Sequence, residues 1–238
     1  MSAQARRFGV VGILITISLI STPARAAFNF TAQSRSISAH THGSGGDVSQ
    51  SFTAPDFALF DKTASAPHPT GGSSDQHQRS ELLSNAITIV GGWSGFPPSF
   101  AGTGQADGNS STSVTFTVPS TTDADLTAQA SFLDGNPGVV GSISLTGPST
   151  SVAWYLSHSA GPPGAPWPVN GNSTHLTLGP GSYTLNANFS SNRVGTLAFN
   201  QNYVSSFDVE LTQSVPEPAS FGATITLVLM SLRLRRSR

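Results

Sequence analysis

The sequence contains no cysteine, which removes disulfide frameworks, thiol nucleophiles and Cys-ligated zinc or iron–sulfur sites from consideration. Charge is scarce as well. Asp, Glu, Lys and Arg make up 10% of the 238 residues, where a globular domain carries about 25%. Cations are scarcest in the body of the chain. Residues 27–220 hold Arg35, Lys62, Arg79 and Arg193 against twelve acids, a net −8, so no basic patch is available to hold nucleic acid and no such partner is expected. The common catalytic signatures are also missing. Gly92-Trp93-Ser94-Gly95-Phe96 lacks the glycine spacing of a nucleophile elbow, and there is no His-Glu-x-x-His, no phosphate loop and no repeat at a solenoid period.

What the chain does have is two ends unlike its body. Arg6 and Arg7 precede a thirteen-residue apolar run, Phe8 to Ile20, and Ala24-Arg25-Ala26 puts small residues at the −3 and −1 positions of a signal-peptidase site. The run is short for a bilayer that needs about twenty residues. The expectation is therefore a signal peptide over 1–26, cut by signal peptidase between Ala26 and Ala27.

At the other end, Pro216, Glu217 and Pro218 are followed by an apolar stretch, Phe221 to Leu232, and then by Arg233, Arg235, Arg236 and Arg238. Arginines placed there stay on the cytoplasmic side and halt a segment that has followed the body outward. Twelve residues of helix reach only about 18 Å, against a hydrocarbon core of about 30 Å, which suits a temporary anchor. The two prolines hold the motif extended, as a cleft that processes a peptide requires.

This three-part tail resembles the PEP-CTERM sorting signal. In that family a Pro-Glu-Pro motif, a transmembrane stretch and a basic tail are recognised by an exosortase. The resemblance covers residues 215–238, with Pro216, Glu217 and Pro218 as the sorting motif and the four arginines as the stop-transfer group. The apolar stretch is shorter than the family's and contains Thr224 and Thr226. The resemblance implies a Gram-negative bacterium that makes exopolysaccharide. It further implies a protein exported, anchored transiently in the inner membrane, cut near the motif by the exosortase, and delivered to the outer surface or extracellular matrix of a biofilm or floc.

The body, 27–214, is expected to be all-β. Val114, Phe116 and Val118 alternate with threonines, and the same period runs through Leu126 to Phe132, Ile143 with Leu145, Val152 to Leu156, Leu176 with Leu178, Tyr183 to Phe189, and Phe207 to Leu211. Eight to eleven strands would make a single antiparallel β-sandwich, jelly-roll-like, between the signal peptide and the short transmembrane helix. Gly179-Pro180-Gly181 reads as a hairpin turn. Residues 61–80 and 158–175 read as long polar loops. Arg79 to Val90 is the one stretch with helical possibilities, although Ala86 to Val90 favours a strand in its second half.

Candidate sites in the body are few. Trp93, Phe96 and Phe100 lie in one Gly/Pro-rich segment, and Trp167 lies between prolines in another. Aromatic rings on stiffened loops offer apolar faces on which a sugar can stack, so Trp93, Phe96 and Trp167 are the candidate glycan contacts. The alternative is that these rings fold back to cap the core. His40 and His42 would share one face of a strand, as would Asp123 with Asp125 and Asp208 with Glu210. Two ligands at a time do not define a metal site, and neither a metal nor a cofactor is expected. The leading reading is a non-catalytic, sorted component of the cell surface or exopolysaccharide matrix. The competing reading is a secreted carbohydrate-active enzyme, a lyase or glycosidase on a jelly-roll scaffold, which would need two carboxylates facing each other across a cleft.

Overall fold

Period-two alternation leaves the body no helical stripe to bury, and among the described residues it forms β-strands without a helix. The computed structural model describes residues 27–98, 104–133, 139–157, 170–195 and 203–214. The expected leader up to Ala26, the sorting tail, Phe100 and Trp167 lie outside them. Among the described residues, no helix is long and apolar enough to cross a membrane.

The strands are β1 (Asn29–Gly43), β2 (Gly46–Thr53), β3 (Phe60–Pro67), β4 (Ser73–Leu83), β5 (Ala86–Phe96), β6 (Gly104–Val118), β7 (Thr122–Leu133), β8 (Val139–Thr146), β9 (Ser151–Ser157), β10 (Asn170–Leu178), β11 (Gly181–Gly195) and β12 (Tyr203–Gln213). They make two six-stranded antiparallel sheets. The first runs β2-β1-β6-β11-β8-β9 and the second β10-β7-β12-β5-β4-β3. From β5 onward each strand crosses to the other sheet, except at the β8–β9 hairpin, so the order 5-12-7-10 packs over 6-11-8-9. The first four strands lengthen both sheets on the same side.

The inward residues of β5 to β12 make the main core. Val114, Phe116, Leu126, Ile143, Leu145, Leu185, Val209 and Leu211 are all buried in it. Phe116 is in ring contact with Phe28 at 4.7 Å and with Tyr183 at 5.8 Å, and burying a side chain of that size contributes about 3 kcal/mol. Phe189 and Phe207 stack across the two sheets at 3.9 Å. A smaller core of Ile37, Ala39, Ala54, Phe60, Ala64 and Ala66 sits under the added strands.

Between the two cores runs a buried polar seam. Ser74, Gln76, Gln78 and Ser80 point inward from β4 and meet Ser110 and Thr112 of β6. Gln78 donates from Nε2 to Thr112 Oγ1 at 2.9 Å and accepts from Ser110 Oγ at 2.7 Å, so these groups are satisfied rather than stranded. Arg35, fully buried, donates to the carbonyls of Ser80, Asp56 and Ala58 and ties the segment between β2 and β3 to the seam. Its burial pushes the guanidinium pKa down, partly offset by the charge of Asp56.

Three expectations are corrected here. Arg79 to Val90 holds no helix: it is the end of β4, a tight turn at Ser84 and Asn85, and β5, with Leu83 paired to Ala86. Residues 61–80 are mostly β3 and β4 rather than loop, and residues 170–175 of the second expected loop belong to β10. Gly179-Pro180-Gly181 does not close a hairpin. β10 pairs with β7 in one sheet and β11 with β6 and β8 in the other, so the tripeptide carries the chain between sheets. Tyr183 fastens that crossover, its hydroxyl donating to the Gly179 carbonyl at 2.9 Å.

Candidate functional site

The aromatic residues singled out above separate on inspection. Trp93 sits on β5 with its side chain directed inward and is 2% exposed. Its Nε1 donates to Ser74 Oγ at 2.9 Å, and Ser74 in turn donates to the Asp107 carbonyl. The indole occupies space left by two glycines. A Cβ at Gly108 would stand 2.7 Å from Trp93 Nε1 and 2.6 Å from Gln76 Oε1, and one at Gly95 would stand 2.6 Å from Trp93 Cζ2. The cavity lined by Trp93, Gln76, Phe189 and Phe207 measures about 10 Å³, room for one water at most and none for a sugar. Trp93 as a stacking platform is therefore corrected: the ring is part of the interior. Phe96, at the end of the same strand, is half-buried.

The paired polar residues do share faces, as their spacing predicts. His40 and His42 project outward from β1. His40 Nδ1 lies 3.3 Å from Asp107 Oδ2, and His42 pairs with Asp47 on β2. The hydrogen bond from His42 holds Asp47 below the usual carboxylate range. Asp125 likewise bonds His175 Nδ1 at 2.8 Å, which lowers the carboxyl and raises the imidazole. Thr177 donates to Asp123 at 2.8 Å. His40, His42 and His175 thus each turn to a separate aspartate, and among the described residues no group of three or more His, Asp or Glu converges to hold a metal ion. Asp208 is different. It is exposed on the outer face of β12, and partial desolvation by its neighbours on the sheet raises its carboxyl.

The two outer faces of the sandwich are chemically unlike, and sequence reasoning missed this because it depends on register. The outer face of the second sheet carries Asp61, Asp75, Glu81, Asp123, Asp125, Asp208 and Glu210, with Arg79, His77 and His175 among them. The outer face of the first sheet keeps its acids and imidazoles, Asp47, Asp107, His40 and His42, at one end and has none across its middle. Its central cross-strand row reads Thr53, Ser36, Ser111, Asn188, Ser142 and Tyr155. The row on one side is Ser34, Ser113, Asn186 and Ser144, and on the other Ser51, Ser38, Asn109 and Ser190. Ser111 donates to Asn188 at 2.7 Å and Asn186 to Ser144 at 3.3 Å, which fixes these short side chains relative to one another. Neighbouring strands lie about 4.8 Å apart and successive outward residues about 6.7 Å along a strand, so hydroxyl and amide groups form a two-dimensional lattice.

No protein-family profile matches the chain, and no curated protein does. Among solved structures it is similar to that of the infectious bursal disease virus Gx strain, at 10% identity and a TM-score of 0.23, over 79% of this chain and 58% of the viral one. It therefore spans under two thirds of that chain's length. It is also similar to a carbohydrate-binding module of the β-sandwich superfamily, at 11% identity and a TM-score of 0.25, covering 80% of this chain and 87% of the module. Neither likeness brings a ligand or an activity with it.

Proposed function

We propose that this chain is an exported PEP-CTERM protein whose β-domain serves, without catalysis, as a component of the cell surface or exopolysaccharide matrix. The observation that carries the reading is the combination of Arg6-Arg7, an apolar run and Ala24-Arg25-Ala26 at one end with Pro216-Glu217-Pro218, an apolar stretch and an arginine cluster at the other. A motif of three residues alone would carry little. Its place in that sequence of segments supports export, brief retention in the inner membrane and processing by an exosortase. The winding of 5-12-7-10 over 6-11-8-9 supports a jelly-roll scaffold. The dispersal of the His–Asp pairs over separate places on the two outer faces favours a scaffold role over the lyase or glycosidase reading.

Replacing Pro216, Glu217 and Pro218 together by alanine tests this. The stop-transfer arginines remain while the recognised extended motif is lost, so the variant accumulates as a membrane-held precursor. Release of the variant at the rate of the unaltered chain would remove the sorting hypothesis.

A further inference from the structure

We infer that the outer face of the first sheet is a binding surface for an uncharged polysaccharide strand, lying across the rows centred on Ser111 and Asn188. This deepens the matrix reading by assigning the contact to a face of the fold rather than to its loops.

Charge decides the class of partner. The three rows carry hydroxyl and carboxamide groups and no carboxylate, imidazole or cationic side chain. An anionic polymer finds no cation there and meets a body of net −8, while a cationic one is drawn to the acid-rich opposite face. A lipid surface or a hydrophobic peptide needs a contiguous apolar patch, and the rows supply none. A neutral polyol matches what is present, since each of its hydroxyls both donates and accepts, as do the Ser, Thr and Asn groups it would meet.

Pairing of this face with a second copy is the other geometry available to it. A stable interface between copies has an apolar centre. Here the centre is Ser36, Ser111 and Asn188, and the apolar groups, Val140 and Ala153, stand at the β8–β9 margin. That margin also holds Tyr155, in line with the central row and 66% exposed, which offers a ring for sugar stacking beside the hydrogen-bonding rows.

The lattice character matters for affinity. Ser, Thr and Asn lose little rotamer freedom on contact compared with Lys or Glu, and the bonds from Ser111 to Asn188 and from Asn186 to Ser144 organise them in advance. A single hydroxyl contact is weak, but a strand crossing several rows makes many in register. Binding of this kind is firm to polymers and negligible to monosaccharides.

The test is co-sedimentation of the full chain with insoluble cellulose and with an insoluble β-1,3-glucan, with soluble alginate as the anionic comparison in a gel-shift format. The account expects retention on at least one neutral glucan and no shift with alginate. Ser111→Glu combined with Asn188→Glu should weaken retention at least tenfold, and Tyr155→Ala about fivefold. Ser206→Glu combined with Gln129→Glu, on the opposite face, should leave it unchanged. Strand-type circular dichroism serves as the folding control. Failure of the unaltered chain to bind either glucan would overturn the proposal, as would equal losses from both double variants. Conversion of a dimer to a monomer by the first double variant, with retention unchanged, would show instead that the face joins copies. Retention on glucan is measured independently of release from cells, so failure of either experiment leaves the other's result standing.

Discussion

Trp93 shows how a single residue can be read two ways until its neighbours are known. Its indole fills the space above Gly108 and donates to Ser74, so the ring stabilises the interior and has no face to offer a ligand. Trp93→Ala should cost about 3–5 kcal/mol by opening a cavity, and Gly108→Ala about 1–3 kcal/mol by overpacking. Denaturant unfolding of the full chain checks both, and a midpoint unchanged by Trp93→Ala would contradict the placement. Asp208 gives a prediction with a pH signature. Partial desolvation on the outer face raises its carboxyl, so the native state binds the proton somewhat more readily than the unfolded chain. Stability is then lost as pH rises from the ordinary carboxylate value through the raised one. Asp208→Asn should raise the melting temperature at pH 7 and leave it unchanged near pH 2.5. A gain of equal size at both would contradict this assignment.

At the scale of elements, some strands were legible in the sequence and others were not, for a physical reason. β6, β7, β11 and β12 announce themselves because Val114, Phe116, Leu126, Leu185 and Val209 alternate with polar residues, and the same residues are buried. β4 hides because its inward side is Ser74, Gln76, Gln78 and Ser80, as polar as its outward side. Only the partners across the seam make that arrangement stable, and their hydrogen bonds are invisible to periodicity. The Gly179-Pro180-Gly181 turn was visible as a turn, but a local signal does not say which sheet each flanking strand joins. The glycine at 108, which looks like a weak point in a strand, is explained only by the ring packed against it. Of the candidate sites, the paired faces of His40 with His42 and of Asp123 with Asp125 followed from spacing alone. The neutral lattice of the first sheet did not, since Ser36, Ser111 and Asn188 become neighbours through long-range register.

At the scale of the whole molecule, a two-faced sandwich stands between the two segments proposed to direct export and sorting. Low charge, with most acids on one outer face and a neutral hydroxyl lattice across the middle of the other, accords with the proposed place among hydrated polymers. The central claim is that the chain is processed at both ends on its way outward. The most direct test is the intact mass, with terminal sequencing, of the protein released by the producing cells. The account predicts a species that begins at Ala27 and ends close to Pro216-Glu217-Pro218, without the apolar stretch or the arginines. A released protein that begins at Met1, or that retains Phe221 to Arg238, would contradict it.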